Sequence, residues 1–149
     1  MTDAEFATIM EDTSKTVEGD IGWRDDEDHS PTVEFVMPIT SQAGYPLLAR
    51  GSYNRGAGTL TFAIIHREEG RIYALDMGKR HHNPDCHFVG DKHKHHWTEQ
   101  FRDKEAYEPS DITAPLTDVS QVWRQFCAEA ALRHDGAMLP PPVRQGMIF

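Results

Sequence analysis

Residues 59–76 read TLTFAIIHREEGRIYALD. Thr59–His66 is β-branched and aromatic almost without interruption, the composition of a strand buried on both faces near the middle of a sheet. Glu68-Glu69-Gly70 is a turn, and Arg71–Asp76 returns along the first strand, so the pair forms a hairpin. Upstream, Val33, Phe35, Met37 and Ile39 alternate with Glu34, Val36 and Pro38. That period of two marks another strand, with Pro38 at an edge or bulge. Pro46–Tyr53 reads as a strand before the turn Asn54-Arg55-Gly56-Ala57-Gly58. The centre of the chain is therefore an antiparallel meander of about four strands.

Downstream of the hairpin lies His81–His96, HHNPDCHFVGDKHKHH, which holds six of the nine histidines. Asn83-Pro84-Asp85 is a turn signal, and Cys86–Val89 can form a short strand. His93–Thr98 alternates, so as a strand it places His93, His95 and Trp97 on one face and Lys94, His96 and Thr98 on the other. Residues 99–117 read as irregular, broken at Pro109 and Pro115.

Helices are expected at both ends. Thr2 and Glu5 have capping-box spacing, and Phe6, Ile9, Met10, Thr13 and Val17 recur at helical intervals, which predicts a helix over 3–16. Residues 18–31 form a polar loop. From Asp118 to His134 one stripe carries Val119, Val122, Trp123, Phe126, Cys127 and Ala130. Thr117 or Asp118 can cap that helix and Gly136 can end it. With 149 residues and no linker, the chain reads as a single α+β domain, an antiparallel sheet covered by an N-terminal and a C-terminal helix. Residues 1–30 are acidic helix plus loop, 32–98 the sheet and histidine-rich site, 118–134 the packing helix, and 138–149 an irregular tail.

The net charge of −9 is concentrated in the first thirty residues, which hold ten acids against Lys15 and Arg24. An acidic balance argues against a general nucleic-acid coat. The window Lys79–Lys104 is locally basic, with Lys79, Arg80, Lys92, Lys94, Arg102 and Lys104 against four acids. No apolar run is long enough to span a bilayer, and the acidic N-terminus lacks the basic start of a secretory signal. The expectation is a cytoplasmic protein without membrane association. Two cysteines, Cys86 and Cys127, do not make a disulfide framework.

The histidine stretch supports two chemistries. In the first, His82, His93 and His95 with Asp76 act as a metal-independent acid/base group of the kind that cleaves RNA, since imidazoles populate both protonation states near neutral pH. Arg80, Asn83 and Lys94 would contact phosphate, and Trp97 or Tyr73 would stack on a base. On this reading no cofactor is needed. In the second, His-x-His on a strand directs two imidazoles the same way, and His82, His93 and His95 would bind zinc. Against both stands a polar interaction face with no catalysis. Asp76 is expected to pair with His82, with Arg80 and Trp97 at the rim.

The run Arg71-Ile-Tyr-Ala-Leu-Asp76, then His81-His82-Asn83-Pro84-Asp85, His93-Lys-His95 and Asp103-Lys104-x-Ala106 resembles an uncharacterised bacterial and prophage family of unknown function. That pattern has glycine where Cys86 stands and an aromatic, usually tyrosine, where Trp97 stands. It also has a C-terminal helix and a tail ending as Ile148-Phe149 does. The layout is distantly similar to TumE-type toxins of toxin–antitoxin pairs, with a hairpin ending in Asp followed by a His-x-His-like strand. The resemblance implies a small mobile-element protein. Its partner, an antitoxin or an inhibited host or defence protein, would be encoded nearby, with RNA as a possible substrate. It also implies that Cys86 is incidental.

Overall fold

The computed structural model describes residues 1–142. In chain order the first elements are α1 (Asp3–Glu11), β1 (Thr16–Glu18), β2 (Arg24–Asp25), β3 (Val33–Ile39), β4 (Leu47–Asn54), β5 (Thr59–His66) and β6 (Gly70–Met77). There follow β7 (His81–His82), β8 (Phe88–Val89), β9 (Lys92–Thr98), β10 (Arg102–Tyr107), α2 (Val119–Glu129) and β11 (Arg133–Asp135). Seven strands form one sheet in the order β10-β9-β6-β5-β4-β3-β2, and every neighbouring pair in it is antiparallel. The fold is α+β with a helix near each end. β5 sits centrally between β4 and β6, as its apolar composition predicts. Pro38 lies in β3 beyond the reach of β2, which pairs only with Val33 and Glu34, so the missing N–H costs no ladder bond on that side.

One face of the sheet is covered by α2. Val122, Trp123 and Phe126 on the helix are buried against Phe35, Phe62 and Tyr73 on the strands. The rings meet at centroid distances of 5.1 Å for Phe62–Trp123, 5.2 Å for Tyr73–Phe126 and 5.6 Å for Phe35–Trp123. Gly51 pairs with Phe35 across β3 and β4, and a Cβ there would lie 2.0 Å from the Phe35 ring. Only glycine leaves room for that ring.

Both helices stop short of their expected ends. α1 begins with the predicted capping box, Thr2 and Glu5 each accepting the other's backbone N–H. It finishes at Glu11 because the fully buried Lys15 folds back and donates to the carbonyls of Ile9, Met10 and Asp12. A lysine at the carbonyl end of a helix satisfies acceptors that would otherwise be orphaned. α2 finishes at Glu129 rather than near Gly136. Leu132 N–H bonds to Cys127 O and Ala131 N–H to Ala128 O, with Ala131 at φ 51°, the double bond of a Schellman stop. The chain then forms β11, which pairs in parallel with β1.

One further expectation is revised. Residues 102–107, read as irregular, form the edge strand β10, which extends the sheet past residue 98. Its sequence RDKEAY carries a single buried residue, Ala106, so it shows no apolar alternation; charge on an edge strand is common. Residues 143–149, including the Ile148-Phe149 end of the tail, lie outside the described residues. Among the described residues, no helix is long and apolar enough to cross a membrane.

Candidate metal centre

The sheet face away from α2 carries the site. β6 and β9 pair so that Ala74 lies beside His95 and Asp76 beside His93. Strand alternation then puts Asp76, His93 and His95 on one face and Tyr73, Leu75 and Lys94 on the other. Small neighbours, Ala63 and Ala74, lie beneath the histidine rings and are themselves buried. The rings of His93 and His95 are about as enclosed as core residues, with relative exposures of 1% and 2%.

Hydrogen bonds fix each ring. His93 Nδ1 lies 3.0 Å from Gly90 O and His95 Nδ1 lies 2.8 Å from Asp103 O. A carbonyl only accepts, so each Nδ1 carries a proton. Both Nε2 atoms point to one carboxylate oxygen: Asp76 Oδ2 lies 3.3 Å from His93 Nε2 and 3.1 Å from His95 Nε2. Asp76 Oδ1 accepts from Thr61 Oγ1 at 2.5 Å, which orients the carboxylate.

A third histidine joins them. His81, on the two-residue strand β7, packs at 4.5 Å from the His95 ring and 5.5 Å from the His93 ring. Its Nε2 donates to Lys104 O at 2.5 Å, which leaves Nδ1 as its lone-pair atom. One nitrogen from each of His81, His93 and His95 lies within 4.8 Å of the other two. Burial lowers the His81 pKa, the Lys104 carbonyl opposes this, and the neighbouring His95, His93 and Arg71 lower it further. His81 therefore favours the neutral, ligating form. For Asp76, burial raises the pKa, but hydrogen bonds from His93, His95 and Thr61 and the charge of Arg71 outweigh it. The carboxyl lies well below the ordinary carboxylate range.

Arg71 reaches this face through a bulge. Ile64 pairs with Tyr73 but Ile65 with Arg71, so Ile72 is an extra residue that reverses the alternation. Arg71 Nε bonds Asp103 at 2.7 Å, and its Nη1 lies 3.8 Å from Asp76 Oδ2.

The structure divides the residues expected to converge. Asp76, His93 and His95 meet as expected; His82 does not join them. Its ring turns outward, stacks on the exposed Phe88 at 4.0 Å and bonds Cys86 O, so Asp76 pairs with His93 and His95 instead, and His81 takes the place expected for His82. Asn83 is structural: its side chain exchanges hydrogen bonds with both backbone groups of Ala106. Arg80 is exposed beside Asp91. Trp97 is buried, with Nε1 on Met1 O. Tyr73 and Lys94 lie on the opposite face under α2. Lys94 meets Asp111 at 2.6 Å and Glu129 at 2.8 Å, so neither it nor Tyr73 can serve the histidine cluster. His81, Arg71 and Thr61 were not singled out from the sequence. The Thr61 phase opposite Asp76 was available from the hairpin alone.

The pattern from Arg71 to Ala106 thus builds one structure. His81, His93, His95 and Asp76 supply the cluster, and Asn83 braces it. The chain belongs to the DUF6978 family, a family of unknown function whose model matches residues 1–132. The match ends with the Schellman turn after α2 and takes in every residue of the cluster. No curated protein and no solved structure matches the chain.

Proposed function

We propose that this chain is a metalloprotein in which His81, His93 and His95, with Asp76, hold one divalent ion of the zinc class on the open face of the sheet. The observation that carries this reading is the convergence of the two Nε2 atoms on Asp76 Oδ2 while both Nδ1 atoms are committed to carbonyls. With Nδ1 protonated, each Nε2 of a neutral ring presents a lone pair. Two lone pairs and a carboxylate oxygen then face one another, an arrangement that a cation resolves. Ligating histidines characteristically donate their other N–H to a carbonyl in this way. The separations of 3.3 and 3.1 Å are close to the edge of about 3.3 Å in a tetrahedral shell with bonds of about 2.0 Å. A shell rich in imidazole with one carboxylate favours zinc, iron, cobalt or nickel over magnesium or calcium.

The metal-free acid/base reading fits less well. General acid/base work needs a ring nitrogen that can meet the substrate. Both nitrogens of His93 and His95 are engaged inside the protein, and the rings are buried. A bound ion at the cluster would instead act as a Lewis acid on water or on a substrate oxygen. Metal analysis of protein purified without a histidine tag tests the reading. The expected result is about one equivalent, lost in His93→Ala and His95→Ala and kept in His82→Ala. Substoichiometric metal in the native chain, together with a melting temperature that a chelator does not move, would overturn it.

A further inference from the structure

Beside the cluster the open face holds a trough of about 430 Å³, lined by Arg50, Ser52, Thr61 and Arg71 on the strands and by Lys79 just past β6. We propose that this trough binds the phosphate group of a phosphate-ester substrate next to the metal centre, an inference that rests on the metal reading above. Three observations carry it.

The first is charge. Three cations line one small polar space, in a chain whose net charge is −9. Lys79 has no carboxylate within ion-pair distance among the described residues, and its Nζ donates to Thr61 Oγ1 at 3.2 Å. Arg50 forms an ion pair with Glu34 at 3.6 Å without a hydrogen bond, so its planar fork of donors can turn to an oxyanion. Arg71 is held by Asp103 through Nε, which fixes its orientation and leaves the terminal nitrogens.

The second is continuity with the cluster. Thr61 lines the trough and also bonds Asp76 Oδ1, while Arg71 lines it and approaches Asp76 Oδ2. An oxyanion seated between Arg50 and Lys79 would share a wall with the ligand carboxylate.

The third is the donor set. Two guanidinium groups, one ammonium and the hydroxyl of Ser52 match the several acceptor oxygens of a phosphate better than the two of a carboxylate. Gly51 and Ala63 also line it, with Ile65 as its one large apolar side chain.

Calorimetric titration of the full chain with inorganic phosphate, in the metal-loaded and metal-free forms and with acetate in parallel, tests the proposal. Arg50→Gln/Lys79→Gln should weaken phosphate binding at least tenfold while metal content stays at that of the native chain. Lys79→Gln alone, at an exposed position, should weaken it severalfold and guards against misfolding of the double variant. Metal uptake without phosphate binding, or equal binding by the double variant, overturns the trough and leaves the metal reading standing. Acetate binding as tight as phosphate overturns the assignment to phosphate. Phosphate binding that depends on Arg50 and Lys79 in a chain that takes up no metal keeps the trough and removes the metal reading.

Discussion

β9 carries two buried polar clusters, one on each face, and they are built on opposite principles. Towards α2, Lys94 is fully buried, but its ammonium meets the carboxylates of Asp111 and Glu129, both about one-third exposed. Tyr107 donates to Glu129 as well. Donors there are matched to acceptors, and the charges reach water through their partners. On the open face, the Nε2 atoms of His93 and His95 converge on one oxygen of Asp76. The first cluster pairs its charges within the fold, although the buried Tyr73 hydroxyl beside it has no hydrogen-bond partner among the described residues; on the reading proposed above, the second is completed by a cation. A buried polar network that lacks a partner is costly, and a fold keeps such an arrangement where something binds to it.

The comparison is broken most severely from the Lys94 side. Lys94→Met leaves two carboxylates facing a buried apolar chain. Removing one member of a buried ion pair costs roughly 3–5 kcal/mol; with Asp111 and Glu129 partly solvated, the lower end of about 3 kcal/mol is expected by denaturant melting. Metal content should not change. Loss of metal in this variant, after correction for unfolded chain, would show that the two faces are one unit.

The reverse lesion comes next. Asp76→Ala and His81→Ala should each lower zinc affinity, by roughly 10–100-fold. Both are read with a competing chelator. Asp76→Ala should also slightly loosen the metal-free fold, since Thr61 loses its acceptor. An equal effect from His82→Ala would contradict the outward orientation of that ring.

Acidification should separate the faces. The three histidines must be neutral to ligate, so metal should leave on acidification. His81 is held below its ordinary value chiefly by burial, which favours its neutral form. Glu129 behaves differently. Burial raises its pKa, but the hydrogen bonds and charge of Lys94 and the Tyr107 hydroxyl prevail and hold it at about 2. A depressed carboxyl stabilises the fold fully above its unfolded value of about 4.3 and loses that contribution as pH falls towards 2. Metal release should therefore precede any loss of helix signal. Coincident transitions in a chelator dye and in circular dichroism would show that the metal holds the whole fold rather than the open face.

The legible and illegible parts of this molecule have physical reasons. β5, β6 and β9 declared themselves through apolar runs and alternation, and the phase of β9 placed His93 and His95 together before any coordinates. β10 was hidden because an edge strand of charged residues has no period to read. Arg71 was hidden because a bulge at Ile72 reverses the alternation that sequence reading assumes. The choice between His81 and His82 was hidden because a two-residue strand has no pattern at all; it is decided by the Lys104 carbonyl and by the stacking of His82 on Phe88.

The smallest expected effect sharpens that last point. Cys86 lies in the turn between β7 and β8 with φ 67°, in the left-handed region where a side chain is strained and glycine is not. Asn83 O accepts from Cys86 N–H there, so the turn requires that conformation. Cys86→Gly should relieve up to about 1 kcal/mol of local strain, raising the melting temperature by roughly 3 °C at most. The same hairpin carries His81 into the cluster, so a less strained turn should slow metal release slightly without changing stoichiometry. A thiol that served as a ligand would give the opposite result, weaker binding and faster release. The free exposed cysteine thus separates a shell of imidazole and carboxylate from one completed by sulfur, in a variant that the fold itself should favour.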